Sequence, residues 1–273
     1  MRAAIGAGTA LCGILLHPAG HTRSPAMHNA AYRALGIDAA FLAFDVAPAR
    51  LAAAVAGLRA VGARQLAVSI PHKEAVIALV DGVDATARRI GAVNTLVLRD
   101  SRFEGSNTDW IGAVCALERE VDLAGRRAIV LGAGGTARAV VFGLVDRGAE
   151  VLVLNRTPER AAAIVRELGA AGAGGLDALA HTPHDVLVNT TPVGLRADAS
   201  PVPAGALREG SIVLDAVYDP PRTRLLRDAE ARGARAISGK WMLVHQAVAQ
   251  IELWTGREPP IEVMAAAFDA AGA

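Results

Sequence analysis

Four short stretches of this chain hold the side chains best suited to chemistry: Thr22-Arg23-Ser24, Ser69-Ile70-Pro71-His72-Lys73, Ala92-Val93-Asn94-Thr95 and Asn107-Thr108-Asp109. They supply hydroxyls, an amide, an ammonium and a carboxylate, without a nucleophile–base triad. That inventory suits recognition of a small polyol together with transfer of a proton. A hydride that leaves or reaches a carbonyl carbon needs a partner to manage the proton on its oxygen. A lysine beside an aspartate in a partly desolvated cleft can do this.

A second kind of chemistry is written in IVLGAGGTARAVVFGLVDRGAEVLVLNRT, from Ile129 to Thr157. An apolar strand runs into Gly132-Ala133-Gly134-Gly135-Thr136-Ala137, which fits the G-x-G-x-x-G/A fingerprint of a dinucleotide fold. The first glycine makes a tight turn, the second lets backbone approach a pyrophosphate, and the third small residue lets helix and strand pack closely. Free N–H groups at the helix start then face the anion. An NAD site usually carries Asp or Glu roughly 20 residues past the first glycine, to hold the ribose 2′-hydroxyl. Here that position falls in Leu154-Asn155-Arg156-Thr157, without a carboxylate. Arg156 and Arg160 can instead pair with a 2′-phosphate, so the expected cofactor is NADP.

Length and composition set the frame. The 273 residues favour two domains, and 52% apolar residues suffice for sizeable cores. A formal net charge of +1 gives no electrostatic reason to expect nucleic acid or an anionic membrane as partner. Cys12 and Cys115 are far apart and lack metal-type spacing, which points to reduced thiols in a cytoplasmic protein and to no metal. The apolar N-terminus superficially suggests a signal peptide, but His17, Pro18 and His21 interrupt it and no A-x-A pattern follows. Residues 1–10 read as a loose tail.

The elements that must position these residues alternate β and α, the pattern of an α/β protein. Strands are predicted over 11–16, 40–46 and 65–70, with helices from the Ser24 N-cap and Pro25 to Leu35 and over 48–61. A helix is expected to open at His72-Lys73-Glu74, another near 84–90, and a hairpin over 93–99 and 102–105. Helix 108–120 leads to the nucleotide-binding strand. Helix 158–168, a small-residue loop over 169–175, strands 186–189 and 212–216, and helices 222–232, 241–255 and 260–271 follow.

At the chemistry-bearing stretches the chain resembles the shikimate dehydrogenase family, over about Leu11 to Ala271. The matching patterns are H-[ST]-x-S-P at 21–25, [ST]-x-P-x-K at 69–73, G-A-V-N-T at 91–95 and N-T-D at 107–109. G-A-G-G at 132–135, N-R-T at 155–157 and G-x-x-M-L-x-x-Q at 239–246 follow in family order. The resemblance implies that Lys73 transfers the proton, paired with Asp109. Thr22 and Ser24 would hold a substrate carboxylate, with Ser69, Asn94, Asp109 and Gln246 on ring hydroxyls and Tyr218 near the substrate. Gly132, Ala133, Gly134, Gly135 and Thr136 would hold the pyrophosphate. Asn155, Arg156, Thr157 and Arg160 would surround the 2′-phosphate, and Asn189, Thr190, Thr191, Ala216 and Gly239 would line the nicotinamide. It further implies a substrate domain of residues 1–107 and 240–273, to which the C-terminal helices return, and a Rossmann-type NADP domain of residues 108–239. The expected partner is a small-molecule substrate, and the expected assembly a monomer or homodimer.

Plainer roles exist for each residue. Lys73 could be a first-turn helix lysine, a poor place for a cation. Asp109 could cap its helix, Asn94 serve a turn, and Ser24 double as a cap. The chain also departs from the commonest family pattern at Thr22, Ala67, Ser69 and Lys240-Trp241. The hydroxyls of Thr22 and Ser69 are kept but a methyl is shifted. Such a change is worth about 1–3 kcal/mol of substrate discrimination. Two other readings therefore stand beside the dehydrogenation of shikimate: a quinate/shikimate-type paralogue acting on a related cyclohexane carboxylate, and a non-catalytic NADP-binding sensor.

Overall fold

The structure, a computed structural model, describes residues 5–20 and 22–272. His21 of the first motif and residues 1–4 of the expected tail lie outside the described residues. The chain forms two compact units, Met1–Thr108 with Gln246–Ala273, and Asp109–His245. The second division, between His245 and Gln246, falls within one continuous helix, α8 (Gly239–Thr255).

The first unit is built on a sheet of β1 (Ala10–Leu16), β2 (Ala39–Asp45), β3 (Gln65–Val68), β4 (Gly82–Val83), β5 (Thr95–Arg99) and β6 (Arg102–Ser106). Its order is β2-β1-β3-β5-β6-β4. β1, β2 and β3 run parallel, while β5 is antiparallel to both β3 and β6. Alternation sorts the side chains. Leu15, Leu66 and Val68 join a core with Leu51 and Val55 of α2 (Leu51–Ala60), Ala87 of α3 (Ala85–Ile90) and Phe103. Toward the other face, α1 (Ser24–Leu35) packs on α9 (Ile261–Ala270). There Tyr32 donates to Gln65 at 3.1 Å and meets the Trp254 ring edge-on at 5.5 Å, so Trp254 serves packing.

Several boundaries differ from the expectations. Gly6 N–H is bonded to the Thr9 hydroxyl and Thr9 to Asp38, so the end of the supposed tail is a turn leading into β1. Ser24 is the first residue of α1, with Arg23 as N-cap and no side-chain cap bond. No α-helix opens at His72; a turn leads into a short 3₁₀ segment, Ala75–Leu79. Lys73 therefore precedes that segment and has no helix first turn to occupy.

The second unit holds α4 (Asp109–Glu118) and an all-parallel sheet of β7 (Arg127–Leu131), β8 (Glu150–Leu154), β9 (Gly172–Gly174), β10 (Val186–Asn189), β11 (Ile212–Asp215) and β12 (Arg235–Ser238). The order β12-β11-β10-β7-β8-β9 reverses direction at β7 and β10, which is the doubly wound, Rossmann-type arrangement. Helices α5 (Gly135–Asp146) and α6 (Pro158–Leu168) pack on β7, β8 and β9. Leu225, Leu226 and Ala229 of α7 (Arg224–Ala231) join Ile129, Leu131, Leu187 and Val213 in the core. Cover on both faces explains the uninterrupted apolar runs of β7 and β10. The expected loop 169–175 contains β9, a strand of small residues paired to β8.

Candidate active site

In the first unit, strand directions bring the chemistry-bearing stretches to one end of the sheet. The loops holding Thr22 and Ser69 follow parallel strands β1 and β3. β5 runs antiparallel, so Asn94, just before it, lies at that same end, as do Asn107 and Thr108 just after β6. Backbone bonds lock the stretches together: Val68 N–H to Asn94 O at 2.7 Å, Val93 N–H to Lys73 O at 2.8 Å, and Asn94 N–H to Ser106 O at 3.0 Å. His72 is buried, with its Nε2 at 2.7 Å from Val46 O, and so anchors the loop on the Lys73 side.

Asn94 is a buried hub. Its Oδ1 accepts from Thr108 N–H and the Thr95 hydroxyl, each at 2.8 Å, and its Nδ2 donates to the Thr108 hydroxyl at 3.0 Å and Gln246 Oε1 at 3.4 Å. Asn94 and Gln246 are thus brought together from opposite ends of the chain. Thr22 accepts from Ser24 N–H at 3.3 Å, while Arg23 between them turns onto α9, its guanidinium 4.4 Å from the Phe268 ring centre.

Two neighbours of this cluster were missed in the sequence. His28 is fully buried, stacked on Phe41 at 3.9 Å, with Nδ1 at 2.9 Å from Ser24 O. Burial pushes its imidazole down to about 4, against the hydrogen bonds that favour the charged ring. Gln250 donates to Asn94 O and the Thr95 hydroxyl, each at 3.0 Å. The signal was spacing: His28 lies one turn beyond Ser24, and Gln250 one turn beyond Gln246.

In the second unit, Asp109 is buried at the start of α4. Residues 132–136, 155–157, 189–191, 216–218 and Gly239 follow β7, β8, β10, β11 and β12, all at the carboxyl ends of a parallel sheet. That end, at the reversal of strand order, is where such sheets bind ligands. Gly132 has φ of 113°, and a Cβ there would meet Thr190 Oγ1 at 2.6 Å, so only glycine fits the turn. Thr190 is fixed in turn by bonds from its N–H and hydroxyl to Leu131 O, at 2.9 and 2.6 Å.

The residues fit the phosphates of NADP. The turn after β7 feeds the N-terminus of the twelve-residue α5, the end of a helix whose dipole and N–H groups favour an anion. Arg156 and Arg160 are exposed beyond β8, and among the described residues no carboxylate pairs with either. Asn155 Nδ2 donates to Thr157 O at 2.9 Å and so shapes that turn. Trp241 lies under the Arg119 guanidinium, 3.9 Å from its ring centre, which absorbs the bulk of that departure.

One further residue was missed. Asp215 is fully buried at the end of β11. Burial pushes its carboxyl up to about 6, opposed by bonds from Thr223, Val217 N–H and Asn189. Its signal was a lone carboxylate ending the apolar run Ile212-Val213-Leu214. His184 is buried with Nδ1 on Thr182 O. Among the described residues no His, Cys, Asp and Glu cluster could hold a metal, and no helix is long and apolar enough to cross a membrane.

Comparison with known proteins bears on all of this. Residues 14–96 match the shikimate dehydrogenase substrate binding domain, 115–191 the shikimate / quinate 5-dehydrogenase family, and 239–267 the shikimate 5′-dehydrogenase C-terminal domain. The shikimate dehydrogenase (NADP(+)) of Thermococcus kodakarensis is 47% identical over 93% of both chains. A crystal structure of a shikimate dehydrogenase with NADP+ superposes with a TM-score of 0.94 at 37% identity, covering 100% of this chain and 99% of that one. The Thermus thermophilus shikimate 5-dehydrogenase, in complex with NADP(H) and shikimate, gives 0.90 at 39% identity over 96% and 100%. The quinate dehydrogenase of Corynebacterium glutamicum, in complex with NAD, gives 0.86 at 30% identity over 96% and 99%. Motif order, sheet topology and identity along almost the whole length agree: the chain belongs to the shikimate dehydrogenase family.

Proposed function

We propose that this chain is an NADP-dependent shikimate dehydrogenase, interconverting 3-dehydroshikimate and shikimate. The observation that carries the reading is 47% identity, over 93% of both chains, to a protein named for that activity. It is supported by the buried polar cluster around Asn94 and by arginines beyond β8 where an NAD site would have a carboxylate.

Bound NADP(H) supplies the hydride chemistry, exchanging a hydride between nicotinamide C4 and the substrate's C3. The chain's own residues do the rest. Lys73, paired with Asp109, gives a proton to the C3 oxygen during reduction and takes it back during oxidation. Thr22 and Ser24 hold the carboxylate, and Ser69, Asn94, Asp109 and Gln246 hold the ring hydroxyls, with Tyr218 beside the substrate. Gly132, Ala133, Gly134, Gly135 and Thr136 receive the pyrophosphate. Asn155, Arg156, Thr157 and Arg160 receive the 2′-phosphate, and Asn189, Thr190, Thr191, Ala216 and Gly239 face the nicotinamide. In this reading the first unit is the substrate domain and the second the cofactor domain, acting in the cytoplasm as a monomer or homodimer.

A second reading, quinate or a related cyclohexane carboxylate as substrate, draws on Thr22 and Ser69, whose shifted methyls reshape the pocket. Retention of both Lys73 and Asp109 argues against a non-catalytic sensor, which has no need of the pair. The test follows nicotinamide absorbance with purified protein, pairing NADP or NAD with shikimate or quinate. Turnover is expected with NADP and shikimate. Preferential turnover of quinate would replace the substrate, and no turnover with any pair despite tight NADP binding would leave the sensor.

A further inference from the structure

Asp215 is the least economical residue in the second unit: a carboxylate with 0% exposure at the end of an apolar strand. Burying such a group costs several kcal/mol unless its oxygens are well supplied with donors. Here they are. Oδ1 accepts from Asn189 Nδ2 at 2.8 Å and from Val217 N–H at 3.0 Å, and Oδ2 accepts from the Thr223 hydroxyl at 2.6 Å.

Each donor leads to a different segment. Asn189, at the end of β10, uses its Oδ1 to accept from Thr191 N–H at 3.0 Å and the Thr191 hydroxyl at 2.7 Å. Val217 lies in the loop after β11, next to Ala216 and Tyr218. Thr223 caps α7, accepting from Leu226 N–H at 3.3 Å. The start of α8 is pressed onto the same point: a Cβ on Gly239 would meet Asp215 O at 2.5 Å and Ala216 O at 2.7 Å. That carboxylate therefore ties together the strand-end segments that hold Asn189, Thr191 and Ala216, and it is the backbone of Asp215 and Ala216, not the carboxylate, that Gly239 packs against.

We propose that Asp215 is a positioning residue, which acts through Asn189 and Val217 to set the nicotinamide end of the cofactor site. The inference rests on the cofactor placement given under Proposed function. Asp215 makes no contact with the cofactor's reacting atoms in this scheme. Its effect is on where the loops hold the nicotinamide, and small misplacements there are costly in rate. Asn at this position keeps one acceptor oxygen for Asn189 and Val217 and can donate to Thr223 Oγ1, so it preserves the link. Ala abolishes it.

The experiment compares D215A and D215N with the unchanged full chain. It measures binding of adenosine 2′,5′-bisphosphate, which lacks the nicotinamide half, binding of NADP, and kcat for shikimate oxidation. For D215A the expected result is unchanged affinity for the bisphosphate, a smaller advantage of NADP over it, and kcat lower by about ten-fold or more, with most of kcat restored in D215N. Equal loss of both affinities in D215A, or an unchanged kcat, overturns the proposal. If D215A does not fold, T223V carries the test by removing one donor and leaving the carboxylate. A drop in kcat of about three-fold or more at constant bisphosphate affinity is then expected, and no drop overturns the proposal. Absence of shikimate turnover in the unchanged chain would sink the functional reading instead. The ratio of NADP to bisphosphate affinity would still decide the role of Asp215.

Discussion

Replacing Asn94 tests the core of the candidate substrate site, because the structure separates its two roles. Its side chain is 2% exposed, and Thr95 and Thr108 beside it are 0% and 1% exposed. Asn94→Ala leaves two buried donors without the acceptor they now use, Thr108 N–H and the Thr95 hydroxyl. At roughly 1–3 kcal/mol for each buried group left unsatisfied, the expected loss is about 2–6 kcal/mol. Asn94→Asp keeps the acceptor oxygen for both but removes the donor to Thr108 Oγ1 and Gln246 Oε1. The expected loss is then smaller, about 1–3 kcal/mol. Urea unfolding measures both values, and an unchanged m-value assigns the change to stability. Steady-state kinetics on the folded Asp variant measure the other role: in the proposed substrate site, a negative charge in place of the Asn94 amide should raise KM for shikimate by about ten-fold or more. An Ala variant within 1 kcal/mol of the parent would refute the hub. An Asp variant with unaltered KM would refute the substrate contact.

Lys73→Ala retains the backbone bond from Val93 N–H to residue 73, so the loop should persist while kcat falls by about 10²–10⁴-fold. Substrate affinity measured by fluorescence titration should change much less, and equal losses would make Lys73 a binding residue. Arg156→Ala should weaken NADP by about 1.5–3 kcal/mol, the worth of hydrogen bonds to a charged group, and leave NAD nearly untouched; parallel losses in isothermal titration would remove the 2′-phosphate assignment. For pH, His28 is held neutral in the fold at about 4, below its ordinary value of 6.5. The unfolded chain therefore takes up a proton first on acidification, and stability from this group, complete above pH 6.5, is lost as pH falls toward 4. The loss approaches about 3 kcal/mol. Asp215, raised to about 6, acts oppositely and adds stability as pH falls from 6 toward 3.8. Urea unfolding of the parent against His28→Gln isolates the histidine: the parent should lose stability relative to the variant between pH 7 and pH 4.5, and parallel curves would contradict the burial argument.

Some of this molecule was readable along the chain because the cause is local. Residues 129–157 announced strand, glycine turn, helix and strand, since the turn needs glycine at Gly132 and apolar periodicity marks the rest. The motifs holding Lys73, Asn94 and Asp109 were equally visible, and with them the family. Other features depend on partners that no local pattern names. β9 is a run of glycine and alanine that becomes a strand only by pairing with β8. The 3₁₀ segment after Lys73 replaced an expected helix, because Val93 N–H bonds back to Lys73 O in that turn.

By itself the sequence determined the α/β class, the expectation of NADP drawn from Arg156 and Arg160, and the residue types available for proton transfer. Those depend on side-chain chemistry and short-range spacing. Tertiary structure alone decided which of them meet. The antiparallel entry of β5 puts Asn94 beside the end of β3, and the return of α8 delivers Gln246 to it. Three neighbouring segments make Asp215 a shared acceptor. A buried polar atom is defined by its partners, and the ones no local pattern names, Gln246 for Asn94 and Asn189 for Asp215, lie far from it in the chain.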